Sequence, residues 1–465
     1  MLTCVAGRAR GAPGATGEHG ATGPTTEATL TRVLIATTPA PGHVVGVLEV
    51  ARELTRRGHE VRWYTGRAFQ ERVEQTGARF EPMREELDFG GRSREEAYPH
   101  HAGLTGIAGF KAGVRDIFYR TAPGQMEDLL AVLERFPADC VLADDMCYGA
   151  CFAAERTGIP LAWLANSVYI LGSRDTGPLG RGLLPATSAL GRLRNALLRF
   201  AGDHVVMRDL RREADRTRAR VNLPRLRTGA MENIARPPAL YLMGTVPSFE
   251  FPRGDLHPGT HFVGGLLGLP PERFDEPSWW GELTGGRPVV LVTQGTTAND
   301  VDGLLAPAVR ALADRDVLVV VTTGSALDVD RLHPLPDNVR LERYVPYHHL
   351  LPHVDVMVTN GGYNGVNAAL AQGVPLVVAP GSEEKPDVAA RVGWCGAGVV
   401  LPRRALTEAG LRDAVSTVLN DERYRRRAQE LAEEHRSRDA PRRAAELIES
   451  LAEHRGQIPT GGVTR

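Results

Sequence analysis

Residues 360–365, Asn-Gly-Gly-Tyr-Asn-Gly, decide the fold class of this chain. The apolar run at 354–358 is typical of a buried strand, and Val366, Ala369 and Leu370 then recur at helical spacing. Glycines in a strand-to-helix turn let backbone N–H groups approach an anion closely. The helix that follows directs the positive end of its dipole at the same place. The stretch therefore predicts a βα turn that can bind an anion.

Two α/β units can be recognised along the chain. Residues 32–37 and 61–64 predict strands on either side of an amphipathic helix at 47–54, which makes a βαβ unit. A second unit begins with a strand at 289–293, and the β-branched run at 317–321 is typical of a parallel strand covered on both faces. Two such halves predict a cleft between them, with ligands beyond the carboxyl ends of the strands.

Composition limits the partners. The 465 residues carry a net charge of −1, so we expect no nucleic acid partner. The chain has no run of 18 apolar residues, so we expect no membrane partner. Residues 1–30 lack the apolar core of a secretory signal and predict a disordered tail, and the five cysteines lack disulfide or metal-site spacing. A reducing cytoplasm fits best. Arginine largely replaces lysine, which occurs only at 111 and 385 and indicates a high-GC, actinomycete-type coding bias.

Six short motifs occur in an order that is known from one family. They are Gly42-His43, Arg57-Gly58-His59-Glu60-Val61, Gly295-Thr296, Tyr344-Val345-Pro346, Thr359-Asn360-Gly361-Gly362 and Gly373-Val374-Pro375. With these motifs the chain resembles the nucleotide-sugar glycosyltransferases of the GT-B fold. That family includes the plant UDP-glycosyltransferases and the bacterial enzymes that glycosylate macrolides and other natural products.

The resemblance implies an α/β fold of GT-B type, with two Rossmann-like domains and a cleft between them. It predicts an acceptor-binding domain at 31–270 and a nucleotide-sugar-binding domain at 271–440. The remaining residues, 441–465, would form a C-terminal helix that crosses back to the first domain, and a tail.

The resemblance also implies an inverting transfer, in which an acceptor hydroxyl attacks the anomeric carbon as a nucleoside diphosphate leaves. His43 stands at the position of the general base of the family. A neutral imidazole suits this role, since it accepts a proton near neutral pH. The alternative is a turn histidine that caps a carbonyl. Asp144 matches the acid that orients this histidine, although the adjacent Asp145 is an alternative and either could cap the next helix.

The second half supplies the predicted donor site. The residues that match nucleotide and diphosphate contacts of the family are Gly295, Thr296, Tyr344, Val345, Asn360, Gly361, Gly362, Asn364 and Gly365. Thr296 could instead cap the next helix, and Tyr344 could be ordinary core. Glu384 and Lys385 stand where the family holds the hydroxyls of the donor sugar.

Three departures from the family pattern affect the donor. Asn360 replaces a histidine, so it keeps an N–H donor for phosphate but carries no charge. Ala368 replaces a glutamate that accepts hydrogen bonds from the ribose hydroxyls in the family. Because deoxyribose lacks the 2′-hydroxyl, the loss of this acceptor favours dTDP-sugars over UDP-sugars. Lys385 replaces a neutral glutamine, which would suit a donor with fewer hydroxyls or a contact with the diphosphate. A plain ion pair with Glu383 or Glu384 is the alternative.

Aromatic and apolar side chains of the first half predict a pocket for a hydrophobic acceptor. The predicted acceptor contacts are Phe110, Phe118, Met146, Tyr148 and Tyr169, with core packing as the alternative for each. We expect no metal site, because the Asp-x-Asp spacing at 328–330 falls in a loop after a strand.

The sequence thus predicts a cytoplasmic, metal-independent glycosyltransferase of hexosyltransferase type. Its donor is a nucleotide sugar, with dTDP favoured over UDP, and its acceptor is a hydrophobic natural-product aglycone. It needs no cofactor beyond the nucleotide-sugar co-substrate and acts as a monomer or homodimer. The rival prediction is a non-catalytic GT-B protein that binds nucleotide sugar or aglycone and activates another transferase.

Overall fold

The structure is a computed structural model, which describes residues 30–229, 231–271, 273–295, 300–324 and 329–454. The predicted tail at 1–30 lies outside these ranges except for Leu30. Within them, none of the helices has the length and apolar content that a bilayer crossing requires.

A parallel sheet forms the centre of the first half. Its strands among the described residues are β1 (Arg32–Ala36), β2 (Glu60–Thr65), β3 (Arg79–Pro82), β4 (Cys140–Asp144), β5 (Leu161–Ala165), β6 (Leu240–Met243) and β7 (Thr260–Phe262). They are arranged in the order β3-β2-β1-β4-β5-β6-β7, and all pairings are parallel. The order reverses between β1 and β4, so a crevice opens beyond the carboxyl ends of these two strands.

The second half repeats the arrangement. Its strands are β8 (Val289–Thr293), β9 (Leu318–Thr322), β10 (Val339–Glu342), β11 (Val356–Thr359), β12 (Leu376–Val378) and β13 (Gly398–Val400). They are also parallel throughout, in the order β10-β9-β8-β11-β12-β13, so the strand order reverses between β8 and β11. The turns that follow these two strands carry the predicted donor residues Gly295 and Asn360.

Helices cover both faces of each sheet. The first half contains α1 (Pro41–Arg56), α2 (Gln70–Glu74), α3 (Arg94–Ala97), α4 (Gly106–Gly113), α5 (Ala122–Arg135), α6 (Tyr148–Thr157), α7 (Ala189–Ala201) and α8 (Arg208–Arg220), and π-helical turns at Val114–Tyr119 and Gly202–Val206. The remaining helices are α9 (Leu305–Leu312), α10 (Tyr347–Leu350), α11 (Tyr363–Ala371), α12 (Lys385–Cys395), α13 (Glu408–Asn420), α14 (Glu422–Arg436) and α15 (Ala440–Glu453). Short 3-10 turns lie at Arg67–Phe69, Pro99–His101, Trp280–Thr284, Val301–Gly303, Val329–Leu332, Leu351–His353 and Arg403–Ala405.

The apolar strands follow from burial on both faces. In β1, Val33 and Ile35 pack against α1 and α15, whereas Leu34 and Ala36 pack in the cluster that α5 and α6 complete. Because alternate side chains of a strand point to opposite faces, a strand covered on both faces must be apolar throughout. The five residues of β8 and of β9 are buried for the same reason.

The chain crosses between the halves twice. Residues 263–288 lead from β7 to β8, and the predicted domain border at 270/271 falls in this segment. After α14 the chain returns, and α15 packs on the first half, where Ala444, Ile448 and Leu451 are buried in the same cluster as α1. The side chain of Glu449 fixes this contact, because it accepts two hydrogen bonds of 2.7 Å from Arg57.

Candidate active site

His43 lies where the first sheet changes strand order. It follows β1 and occupies the first turn of α1, which begins at Pro41 after extended backbone at Ala40. Proline suits this first position because it needs no intrahelical partner for an N–H group. The imidazole is partly exposed, and the Phe118 ring lies 5.8 Å away, centroid to centroid.

The structure places Asp144, the last residue of β4, directly beside His43. The carboxylate Oδ1 lies 2.9 Å from His43 Nδ1. The carboxylate also accepts hydrogen bonds from the backbone N–H groups of Thr38, at 2.6 Å, and Met146, at 2.9 Å, and it is buried. With a proton on Nδ1 donated to Asp144, the second ring nitrogen of His43, Nε2, is left as an acceptor for a substrate proton.

Charges around His43 favour its protonated form. Burial lowers its pKa, but the charge of Asp144 and its hydrogen bond outweigh burial, and Asp145 and Glu384 add to them. The pKa of His43 is therefore raised above its ordinary value. Glu384 of the second half is thus one of the charges that raise the pKa of the imidazole.

Asp145 has a different environment from Asp144. It is fully buried, and its Oδ2 accepts a hydrogen bond of 2.8 Å from the hydroxyl of Tyr241 on β6. Burial and the neighbouring charge of Asp144 raise the pKa of Asp145 to about 7. The two adjacent acids therefore differ in role: Asp144 touches His43, and Asp145 points into the sheet toward Tyr241.

Asn166 and Thr38 belong to this site, although the sequence analysis did not select them. Asn166 Nδ2 lies 2.5 Å from His43 Nδ1 and 3.4 Å from the Asp144 carboxylate. Thr38 contributes the N–H group that orients Asp144. Asn166 directly follows the carboxyl end of β5, and Thr38 lies two residues beyond that of β1. Position beyond the end of a strand at the switch point is the signal that could have identified Thr38.

The predicted diphosphate turn lies at the corresponding place in the second half. Gly361 has a φ of +88°, a left-handed conformation that favours glycine, and a Cβ there would lie 3.3 Å from the carbonyl of Lys385. Gly362 precedes α11, so the N–H groups of Tyr363, Asn364 and Gly365 open the helix without intrahelical acceptors. Such a helix end can bind an anion.

Asn360 is more constrained than the sequence predicts. Its Nδ2 donates a hydrogen bond of 2.8 Å to the carbonyl of Gln294, and its Oδ1 has no partner among the described residues. One of its two amide N–H bonds is therefore committed to the turn after β8. That bond joins the two glycine turns, because Gln294 directly precedes Gly295, which also has a positive φ of +72°.

The other predicted donor residues differ in their exposure to solvent. Thr296 lies outside the described residues. Tyr344 is 69% exposed and Val345 is buried, so the Tyr344 ring is free to stack whereas Val345 belongs to the core. Lys385 is the first residue of α12, and its Nζ lies 3.1 Å from the Glu383 carboxylate. Burial lowers the pKa of Lys385, but the charges of Glu384 and Glu383 outweigh this and raise it.

The two halves meet at the predicted site. Asn364 Nδ2 of α11 donates a hydrogen bond of 3.0 Å to the carbonyl of Gly42. A narrow cavity beside this bond is lined by residues of both halves, including His43, Val47, Asn166, Asn364 and Asn367. The structure therefore brings the predicted base and the predicted diphosphate helix together across one cleft.

The acceptor predictions divide into two groups. Phe110, Phe118 and Met146 are half-buried at the edge of the first-half core and remain candidates for the pocket wall. Tyr148 and Tyr169 are buried against other aromatic rings, and their place in the pocket wall stays a prediction. The Tyr148 ring packs edge-to-face on Tyr119. The Tyr169 ring stacks on Tyr241 and lies under the Arg253 guanidinium.

One side-chain group among the described residues has ligand atoms close enough to hold a metal ion. It consists of His100, His101 and Asp116, whose ligand atoms lie within 4.8 Å of one another. However, the Asp116 carboxylate already pairs with the guanidinium groups of Arg115 and Arg120, at 2.9 and 3.0 Å. These two positive charges oppose a cation, so we read the group as an ion-pair network that holds the turn at 99–101 on the π-helical turn.

Comparison with known proteins identifies the family. The profile of a family described as "Erythromycin biosynthesis protein CIII-like, C-terminal domain" matches residues 307–451. The 4'-demethylrebeccamycin synthase of Lentzea aerocolonigenes is 61% identical over 420 residues, which are 90% of this chain and 99% of the relative. UDP-glycosyltransferase 2 of Phaeomoniella chlamydospora is 31% identical over 437 residues, 90% of this chain and 95% of the relative.

The fold of a solved glycosyltransferase structure is also similar to that of this chain. The crystal structure of the glycosyltransferase of kitacinnamycin has a TM-score of 0.70 at 25% identity and covers 90% of this chain and 98% of its own. The chain thus belongs to the GT-B family of nucleotide-sugar glycosyltransferases that includes the enzymes of macrolide and other natural-product biosynthesis. The protein is a glycosyltransferase, and the predicted family and fold class are confirmed.

Proposed function

We propose that the protein is an inverting, metal-independent hexosyltransferase with His43 as its general base. It transfers a sugar from a nucleoside diphosphate to a hydrophobic natural-product aglycone and needs no cofactor beyond the nucleotide sugar. The observation that carries this proposal is the 2.9 Å contact between His43 Nδ1 and the buried Asp144 carboxylate, which lies at the cleft between the two α/β halves. The relative named 4'-demethylrebeccamycin synthase supports a natural-product acceptor.

The chemistry follows from the two sides of the cleft. The acceptor hydroxyl forms a bond to the anomeric carbon of the sugar while the bond from that carbon to the diphosphate breaks. His43 Nε2 takes the hydroxyl proton, and Asp144 stabilises the resulting imidazolium. The diphosphate leaves with the bonding electron pair, and the N–H groups that open α11, with its dipole, stabilise the added negative charge.

The raised pKa of His43 favours proton transfer from the acceptor but narrows the pH range in which the neutral base is available. A more basic imidazole accepts the proton more readily. It is also protonated over a wider range of pH, and the protonated form cannot act as a base. We therefore expect activity to fall at mildly acid pH.

The donor preference is the finer part of the proposal. Ala368 lies on α11 and is buried among apolar side chains of the second half. A methyl group offers no acceptor for a ribose hydroxyl, which supports a dTDP-sugar as the preferred donor, with a UDP-sugar as the alternative. Lys385 places a cation at the start of α12, and its backbone carbonyl would lie 3.3 Å from a Cβ at Gly361, so the residue is close to the proposed diphosphate turn, which supports a contact with the donor.

Calorimetry with dTDP and UDP on the wild-type protein and on His43→Ala tests both parts. We expect both proteins to bind dTDP more tightly than UDP. His43→Ala should lose transfer to a panel of aromatic and polyketide aglycones by roughly two to four orders of magnitude, as expected for a general base. His454→Ala, an exposed histidine on the end of α15, is the matched control and should keep full transfer.

The alternative outcomes separate the rival functions. Tighter UDP binding would overturn the donor preference and leave the transferase proposal intact. Undiminished transfer by His43→Ala would remove His43 as the base. A wild-type protein that binds nucleotide yet transfers nothing alone, and activates a second transferase, would instead be the non-catalytic partner. The oligomeric state, monomer or homodimer, can be measured on the same samples.

A further inference from the structure

Helix α7 carries its large apolar side chains on the face that points to solvent. Leu190, Leu193, Leu197 and Phe200 follow one another at i, i+3, i+7 and i+10, so they share one face of the helix. Their exposed fractions lie between 56% and 78%. We call these four side chains the leucine face.

The opposite, polar side holds the helix on the protein. Asn195 is buried and its amide donates to the carbonyl of Asp175, at 3.3 Å. Arg192 donates to the Asp175 carboxylate at 2.8 Å, and Arg199 donates to the carbonyl of Thr176 at 3.1 Å. This is the reverse of an ordinary surface helix, which buries its apolar stripe. An exposed apolar stripe of this size marks an interaction surface.

Positive charge predominates in the segment that carries the leucine face. Residues 177–202 contain four arginines and no aspartate, glutamate or lysine. Arg192 pairs with Asp175, whereas Arg194 contacts the neutral Asn195 amide and forms no ion pair with any described residue. A helix with leucines on one face and arginines beside them is typical of segments that lie in the interface of an anionic membrane.

The expectation of no membrane partner rested on the absence of a membrane-spanning run, and we propose instead that the leucine face docks α7 on the surface of an anionic phospholipid membrane, with the helix axis in the membrane plane. The four apolar side chains enter the boundary between headgroups and acyl chains, and the exposed Arg194 and Arg181 pair with lipid phosphates. Charge argues against a second copy of this chain as the occupant. Two leucine faces related by a twofold axis would bring the like charges of the two Arg194 side chains to the same interface.

The position of α7 gives this docking a consequence for the cleft. The loop before α7 reaches the second half, where the backbone N–H groups of Gly180 and Gly182 donate to the Asp387 carboxylate. Asp387 is two residues beyond Lys385, so the docked helix lies one loop away from the predicted donor sugar site. A hydrophobic acceptor dissolved in the bilayer would enter from this side. That route rests on the proposed function, whereas the docking itself does not.

Vesicle flotation tests the proposal without any substrate. The full chain is mixed with vesicles of phosphatidylglycerol and phosphatidylcholine, or of phosphatidylcholine alone. We expect the wild-type protein to float with the anionic vesicles and to be released by high salt. The double variant Leu193→Asp with Leu197→Asp should partition at least about tenfold more weakly, because two apolar side chains no longer enter the lipid. Leu30→Asp, an equally exposed leucine before β1, is the matched control and should float as the wild type does.

A second variant reports the docking directly. Leu197→Trp keeps the face apolar, and its emission should shift to the blue on anionic vesicles and be quenched by lipids brominated in the acyl chain. Melting curves of all variants should match the wild type, since the substituted side chains are exposed. A wild-type protein that stays unbound, or that binds neutral vesicles equally well, overturns the proposal. So does a concentration-dependent dimer that only the Asp variants abolish, which would assign the leucine face to a second copy.

Discussion

The amide of Asn364 donates a hydrogen bond of 3.0 Å to the carbonyl of Gly42, the residue immediately before His43. This bond joins the N-terminal turn of α11, where the diphosphate is proposed to bind, to the turn that carries the proposed base. The same cleft brings Glu384 near enough to His43 for its charge to act on the imidazole. The turn that carries the proposed base and the turn at the proposed diphosphate site thus support each other, so a substitution in one turn should change the function of the other.

Replacing Asn364 by alanine tests this connection. We expect kcat to fall by about three- to tenfold, the size of one lost hydrogen bond, because the Gly42 turn is no longer fixed. The dTDP dissociation constant, measured by calorimetry, should change by less than kcat. Asn420→Ala is the matched control, since this asparagine bonds to a carbonyl of its own helix, far along the chain. A loss of dTDP affinity with unchanged kcat would show that Asn364 serves the donor alone.

The two adjacent acids should behave differently when each is changed to asparagine. Asp144→Asn removes the largest of the influences that raise the pKa of His43 and leaves the imidazole without its anionic partner. We expect the maximal rate to fall by roughly two orders of magnitude or more. The acid limb of the pH–rate profile, below which His43 is protonated, should move to lower pH.

Asp145→Asn is the matched control for that experiment. It removes a more distant charge and keeps an acceptor for Tyr241, so the rate should stay within about tenfold of the wild type and the limb should shift less. Equal losses in the two variants would contradict the assignment of Asp144 as the residue that orients His43. The pH dependence of kcat/KM for both variants is the measurement.

The only two lysines of the chain provide a paired test of the donor site. Lys385→Met should weaken dTDP binding by about tenfold, since it removes a half-buried cation beside the proposed diphosphate turn. Lys111→Met removes a lysine that pairs with Asp209 at 2.8 Å on the first half, and it should leave dTDP binding unchanged. The two dissociation constants can be compared at low and high salt. An unaltered dTDP dissociation constant for Lys385→Met would show that Lys385 only forms an ion pair with Glu383 and does not contact the donor.

Glu49 on α1 gives a stability prediction with a defined sign. Burial raises the pKa of Glu49 to about 7, against the hydrogen bonds from the Gly268 and Leu267 backbone, and its Oε1 lacks a partner among the described residues. A raised folded pKa favours the protonated form in the native state. Its contribution to stability is therefore full below the unfolded pKa of about 4.3 and lost as the pH rises through about 7.

Glu49→Gln should consequently be more stable than the wild type at pH 8, by on the order of 1–3 kcal/mol, and equal to it at pH 4. Thermal unfolding at the two pH values measures the difference. Glu53→Gln on the same helix is the control with the opposite sign. The hydrogen bond from Arg56 lowers the pKa of Glu53, so this variant should be slightly less stable at pH 8. A gain at pH 4 as large as at pH 8 would contradict the role of the Glu49 charge.

Much of the fold could be predicted from local sequence, since strands covered on both faces are apolar throughout, and the βα turns that follow them carry glycine or His43. The predicted roles of His43 and Asp144 came from the family resemblance, and the structure brings the two side chains together because they follow or end the neighbouring strands β1 and β4. Asn166 needed more, because its place beside His43 depends on β5 pairing with β4, which no local pattern encodes.

Burial of the aromatic side chains was the least predictable part. Tyr169 is packed by Tyr241 and Arg253, residues more than 70 positions further along the chain, so its spacing alone could not distinguish a pocket wall from the core. The reversed polarity of α7 had the same origin. Its leucines have the spacing of a core-facing stripe, and only the tertiary contacts of Asn195, Arg192 and Arg199 show that the polar side faces inward.

The return of α15 to the first half also constrains the order of folding during synthesis. Ala444, Ile448 and Leu451 complete the apolar layer under α1, and Glu449 satisfies Arg57 and His59. A nascent chain that has emerged only as far as β7 therefore leaves the part of this apolar layer that α15 covers exposed to water. The first half can close only after the whole second half has left the ribosome, and the chain depends on its last helix to finish its first domain.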